Sequence, residues 1–106
     1  MTAEPPYSSA EAEAAAVATA RRKVTICNQK GLHARAAARF VKTAHQFEAD
    51  IWVRKNGTVV SGRSIMGLMM LAAASGASLE ISAAGREADQ AVTALASLVE
   101  CKFDED

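Results

Sequence analysis

The first regular feature along the chain is an alternation. Val24 and Ile26 take turns with Thr25 and Cys27, which predicts a half-buried strand beginning near Arg21. Asn28, Gln29, Lys30 and Gly31 break it. From Ala34 the apolar positions change to helical spacing, with Ala37, Phe40, Val41, Ala44 and Phe47 on one face and Arg35, Arg39 and Lys42 largely off it. Ile51 and Val53 mark a second strand, and Trp52 between them is expected to stand half-exposed on the sheet's other side. Asn56-Gly57 predicts a two-residue hairpin turn of type I′, whose central residues both take positive φ, with Thr58–Ser61 as the return strand. Ser64 is placed to cap a helix running to about residue 74, with Leu68, Leu71 and Ala72 toward the sheet and Gly76 ending it. Leu79, Ile81 and Ala83 alternate as a fourth strand. After Gly85 a last helix turns Ala88, Ala91, Val92, Leu95, Leu98 and Val99 inward.

The order is β-α-β-β-α-β-α. Each helix has one apolar stripe, so the pattern predicts an α+β fold in which helices cover one side of a four-stranded sheet. Strands two and three must be antiparallel across so short a turn. Residues 1–20 differ in kind: Pro5, Pro6, Ser8 and Ser9 precede an Ala/Glu run with almost no large apolar side chain. Alanine favours helix, but a helix this short is marginal in water without a packed face. The expectation is a flexible Ala/Glu-rich extension over residues 1–20 and one folded domain over 21–106.

Length and composition narrow the function. A chain of 106 residues is one domain, and with 5% aromatic residues its core must be built from Ala, Val, Ile, Leu and Met. Twelve basic and twelve acidic side chains cancel, so no global field draws it to nucleic acid or membranes. Its apolar runs fall short of the ~20 residues a membrane span needs. Cys27 and Cys101 lie far apart in sequence and no secretory signal is recognisable, which predicts a cytoplasmic protein with two reduced, incidental thiols. Cys-x-x-Cys is missing, and His45 lies roughly 18 Å along the helix from His33 at 1.5 Å per residue, so no metal site is expected. His45 is read as a solvated side chain, Cys27 as a packing residue, and the acidic residues 104–106 as a solubilising tail rather than a ligand set.

The chemistry concentrates at Gly31-Leu32-His33-Ala34-Arg35. His33 falls at the start of the first predicted helix, where backbone N–H groups lack intrahelical partners. Those donors and the positive end of the helix dipole suit a dianionic phosphoryl group and favour an uncharged, nucleophilic ring. Gly31 supplies the backbone freedom to bring the ring over the helix end. Arg35, about one turn in, offers a planar fork for phosphoryl oxygens. Lys30, just before the glycine, reads as a solvated lysine, with an extra cation for the site as the alternative.

Those five residues with Phe40-Val41 downstream resemble the active-site signature of the HPr family, the histidine phosphocarriers of the bacterial phosphotransferase system. Ser64-Ile65-Met66-Gly67-Leu68 resembles that family's second motif, and the likeness covers roughly residues 21–102. The resemblance implies the HPr-type open-faced β-sandwich, a four-stranded antiparallel sheet with three helices on one face. It implies a stoichiometric carrier rather than an enzyme, a monomer with no bound cofactor. His33 would be phosphorylated on Nδ1 by enzyme I, with phosphoenolpyruvate as the source, and would pass the group to enzyme IIA proteins. Arg35 would assist, with Gly31 and Ala34 supporting the phosphoryl group. Ser64 would be a regulatory site for an HPr kinase/phosphorylase. The chain departs from the family in having Ala36 where proline usually follows the arginine, which restores a free N–H and loosens the first turn slightly.

The helix after Ser64 is apolar nearly all round, and a domain this small cannot bury both sides. Leu32, Ile65, Met66 and Met69 are therefore the expected partner contacts, an adaptable patch beside His33. Two other readings compete. One is a carrier of the nitrogen-type, regulatory branch. The other is a non-catalytic ferredoxin-like module binding nucleic acid or metal, against which stand the neutral charge balance, the missing aromatic sheet motif and the absent ligands.

Overall fold

A computed structural model describes residues 9–105. In chain order it contains α1 (Ser9–Ala16), β1 (Ala20–Thr25), α2 (Ala34–Ala44), β2 (Asp50–Lys55), β3 (Thr58–Ser61), α3 (Ile65–Met70), β4 (Ser78–Ala84), α4 (Ala88–Glu100) and a short 3-10 turn, Lys102–Asp104. The strands form one antiparallel sheet in the order β1-β4-β2-β3. Register explains the core. Ile81 pairs with Val53, which pairs with Val60, so three apolar side chains form a row across the sheet on the face that α2, α3 and α4 cover. Phe40, Leu68, Leu95, Val99 and Phe103 fill the space above that row and are almost wholly buried. The α+β class, the antiparallel four-stranded sheet and the three helices on one face are as the sequence and the resemblance imply.

The other face is where expectation and structure part. Residues 9–16 are helical, and Ala15 of α1 packs on Trp52 and Val59 beneath the sheet. Trp52 is consequently only 8% exposed rather than half-exposed. The segment lacks large apolar side chains, but small ones suffice where a flat indole supplies the area. The strand also starts at Ala20, whose carbon skeleton joins the core. Residues 1–8 of the expected extension lie outside the described residues.

Two further corrections concern turns. At the β2–β3 hairpin the positive φ falls on Asn56 (57°) and not on Gly57, so the turn is not the expected type I′. And α3 ends at Met70, some four residues before the sequence suggests. Leu71 caps it, Lys55 Nζ donates to the Leu71 carbonyl at 3.1 Å, and Ala72 swings to φ 50°. Ala72 is thus exposed, not turned to the sheet. The early ending frees the Ala73 carbonyl for the loop that carries His33.

Candidate functional site

That loop is built from its backbone outward. Gly31 adopts φ 67° and lies so close to the segment joining α3 to β4 that a Cβ would fall 2.5 Å from the Ala73 oxygen. Leu32 N–H donates to the same oxygen at 2.8 Å, and Asn28 Nδ2 donates to the Gly31 carbonyl at 2.8 Å. With its backbone pinned and Leu32 buried beneath, His33 becomes the N-cap of α2, extended at φ −79°, ψ 178°. Its carbonyl accepts from Ala37 N–H at 2.8 Å, while its side chain makes no capping bond. The ring is therefore free for other work beside N–H groups that have no intrahelical acceptor.

The ring is 27% exposed, and its Nε2 lies 2.6 Å from Oε2 of Glu105. Oε1 of the same carboxylate accepts from Asn28 Nδ2 at 2.8 Å. Burial pushes the Glu105 carboxyl up, but the hydrogen bonds from His33 and Asn28, with the charges of His33 and Lys30, outweigh it and hold it below its ordinary value of 4.5. An ionised carboxylate only accepts, so Nε2 is the protonated ring nitrogen. Lys102, Phe103 and Asp104 bring Glu105 back to the ring by taking φ of 58°, 55° and 60° in succession. Each such residue costs about 1–2 kcal/mol. The turn is held down by Phe103, wholly buried, and by Arg39, whose guanidinium donates to the Phe103 carbonyl. Arg35 lies exposed on α2 and lines a polar cleft with Asn28, Lys30, Arg39, Lys102 and Glu105.

A pH prediction arises from this cluster. Because the folded Glu105 carboxyl is held below 4.5, the contact contributes in full above that value and is lost as pH falls through the lowered one. The charged groups around it are His33 and Lys30, with Arg35, Arg39, Lys102 and Asp104 around the cleft. Carbon-detected NMR of the Glu105 carboxyl should show an acid-shifted midpoint, with amide protection of residues 102–105 falling in the same range.

The structure thus brings Gly31, His33, Ala34 and Arg35 to one helix end. Ser64 caps α3, its Oγ accepting from Gly67 N–H at 2.9 Å. Ile65, Met66, Met69 and also Met70 are exposed together on α3, Met66 at 74%. Leu32 does not join them. It is 5% exposed and packs in the core, because the Ala73 bond turns its side chain inward, so it is no partner contact. Sequence reasoning missed Asn28, Arg39 and Glu105. The acidic stretch 104–106 is not merely a solubilising tail, since Glu105 is a partner of the candidate nucleophile; Asp106 lies outside the described residues. His45 is exposed at the far end of α2 beside Arg63 Nη1. Cys27 Sγ is exposed rather than packed in the core and lies 3.5 Å from the Val99 carbonyl oxygen. Among the described residues no cluster of three or more metal-ligating side chains occurs, and no helix is long and apolar enough to cross a membrane.

Comparison with known proteins gives one family. The model of the PTS HPr component phosphorylation site matches residues 20–101. The chain is 46% identical over 85 residues to the phosphocarrier protein HPr of Neisseria meningitidis, covering 80% of this chain and 96% of that one. It is 42% identical over 84 residues to the phosphocarrier protein NPr of Shewanella violacea, covering 79% and 92%. Among solved structures, HPr from Thermoanaerobacter tengcongensis superposes with a TM-score of 0.80 at 42% identity, covering 83% of this chain and 99% of that one.

Proposed function

The chain belongs to the HPr family of the phosphotransferase system and is a phosphocarrier rather than a catalyst, and from that premise we propose that His33 is the carrying residue, loaded by phospho-enzyme I and unloaded to enzyme IIA proteins. The observation that carries the proposal is the placement of the His33 ring. It stands at the N-terminus of α2, part-exposed, with no capping duty and with Arg35 on the first turn of the same helix. The unpaired N–H groups and the positive helix end stabilise a dianionic group there, and the guanidinium adds a cation that can fork to its oxygens. Gly31 fixes the approach and Ala34 presents backbone to the anion. No cofactor enters this chemistry; the phosphoryl group derives from phosphoenolpyruvate by way of enzyme I.

Incubation with phosphoenolpyruvate and enzyme I tests the reading. The expected result is an acid-labile, base-stable mass increment on His33; a folded wild-type chain that stays unlabelled would overturn it.

The exposed Ile65, Met66 and Met69 supply the docking patch in this proposal, since methionine side chains adapt to several partner shapes. A Met66→Glu or Met69→Glu change places a charge where an apolar contact must desolvate. The expected outcome is an increase of about tenfold in the KM of enzyme I for this chain, with the thermal midpoint nearly unchanged. Loss of fold would instead mark these methionines as core. Phosphorylation of Ser64 by an HPr kinase/phosphorylase would act at the same patch: it adds about −1.5 to −2 charge at the start of α3 beside Ile65 and Met66.

A second reading, the nitrogen-type branch, has support in the 42% identity to a phosphocarrier protein NPr. Offering phosphorylated chain to a sugar-type and a nitrogen-type IIA protein separates the branches by which one takes the label faster.

A further inference from the structure

Few side chains in this fold are brought to their place by as much local distortion as Glu105. Three successive left-handed residues reverse the chain after α4. Phe103 is inserted fully into the core, Arg39 donates to its carbonyl, and Asn28, itself 2% exposed, donates to Oε1 of Glu105 at 2.8 Å. Asn28 ties two things together with one amide, because its Nδ2 also donates to the Gly31 carbonyl. It does so with its own Oδ1 buried and unpaired among the described residues. A solubilising acidic residue needs none of this. Strained backbone held in place by its surroundings points to a role for what it positions.

We propose that Glu105 is a positioning residue for phosphoryl transfer: its carboxylate accepts the Nε2–H of His33 and so turns Nδ1, lone pair free, toward the N-terminus of α2. Residue 105 lies outside the span matched by the family model, and the inference rests on the carrier reading of His33. In a histidine ring Nδ1 is bonded to Cγ and lies nearer the main chain than Nε2. Holding Nε2 outward against Glu105 leaves Nδ1 on the side of the unpaired helical N–H groups. The transfer then balances without a base. The Nδ1 lone pair forms the new N–P bond as the donor's bond to phosphorus breaks, and that bond's electron pair stays with the donor. No proton leaves Nδ1, which carries none; the proton on Nε2 stays where it is. The positive charge that appears on the ring is met by the carboxylate 2.6 Å away. Return of the group to an acceptor reverses each of these changes.

The test compares wild type, Glu105→Gln and Glu105→Ala. Nitrogen-15 spectra of the imidazoles report the contact directly. Wild type should show a downfield, slowly exchanging Nε2–H on His33. Glu105→Gln should keep that signal weakened, since an amide oxygen still accepts, and Glu105→Ala should lose it. Phosphorylation is followed with two donors, phospho-enzyme I and the small molecule phosphoramidate, which removes partner docking from the measurement. Glu105→Ala should be slower with both by about tenfold, and Glu105→Gln should recover part of the loss. Several results would overturn the proposal. One is a wild-type spectrum without the Nε2–H signal, and another is an alanine variant that loads as fast as wild type or faster, the latter making the carboxylate an obstruction. A rate loss confined to phospho-enzyme I would assign Glu105 to docking instead. If wild type takes no label from either donor, the carrier reading falls and this one with it; if wild type is labelled and Glu105→Ala matches it, only this one falls.

Discussion

A His33→Ala variant is expected to fold as the parent does and to accept no phosphoryl group at all. Both halves of that result follow from the position of the ring. His33 contributes to α2 through its backbone, as the residue whose carbonyl receives the first helical N–H, and alanine leaves that bond intact. Its side chain does not cap the helix, and it lies part-exposed outside the core, so no cavity opens when it is removed. The circular dichroism spectrum and thermal midpoint should be close to those of wild type. The chemistry has no substitute. His45 is the other imidazole in the chain, at the C-terminal end of α2 beside a guanidinium and away from the N–H groups that open that helix. Mass spectrometry after incubation with enzyme I and phosphoenolpyruvate should show complete loss of the increment. A variant that retained the label would place the carrying residue elsewhere and undo the reading of the whole site.

How much of this could be read in advance depended on how local each feature is. The α2 stripe from Ala37 to Ala44 and the hairpin strand Thr58–Ser61 come from spacing within a few residues and stand where the pattern put them, whereas Phe47 lies beyond the end of α2 at Ala44. Gly31, His33 and Arg35 were legible for the same reason, since the chemistry of a helix start is written in consecutive residues. The end of α3 was not. Residues 72–74 are alanines, excellent helix formers, and what stops them is distant: the Leu32 N–H that takes the Ala73 carbonyl and the Lys55 ammonium at the Leu71 carbonyl. Glu105 was hidden likewise. A glutamate in an acidic stretch looks like solvated charge until Phe103 is seen to bury itself, which turns the chain back to the ring. Trp52 and α1 hid each other, because an alanine-rich helix has a reason to pack only once an aromatic surface lies opposite it.

The loop before His33 should prove the most sensitive point of the fold, and Gly31→Ala the change that exposes it. Two effects add. An alanine at φ 67° suffers the clash between Cβ and backbone that glycine escapes, about 1–2 kcal/mol. Its Cβ would also fall 2.5 Å from the Ala73 oxygen and 3.0 Å from the Ala74 Cα, both main-chain atoms that no side-chain rotation can move aside. Relieving the overlap means separating the two segments, and that stretches the bond from Leu32 N–H to the Ala73 carbonyl and loosens the packing of Leu32. Overpacking of this kind typically costs about 1–3 kcal/mol, so the sum should be a loss of roughly 2–5 kcal/mol in denaturant unfolding. For a domain near this size each kcal/mol lowers the midpoint by about 4–8 °C. Gly76→Ala is the control: φ there is also positive, 92°, but nothing lies within 4 Å of the added Cβ, so only the backbone effect remains. The Gly31 variant should lose phosphoryl acceptance at temperatures where it is still folded, since the same displacement carries His33 away from Glu105 and from the helix end. The Gly76 variant should lose stability alone. Equal losses of stability in the two would show that the close approach of Gly31 to the Ala73 carbonyl contributes nothing.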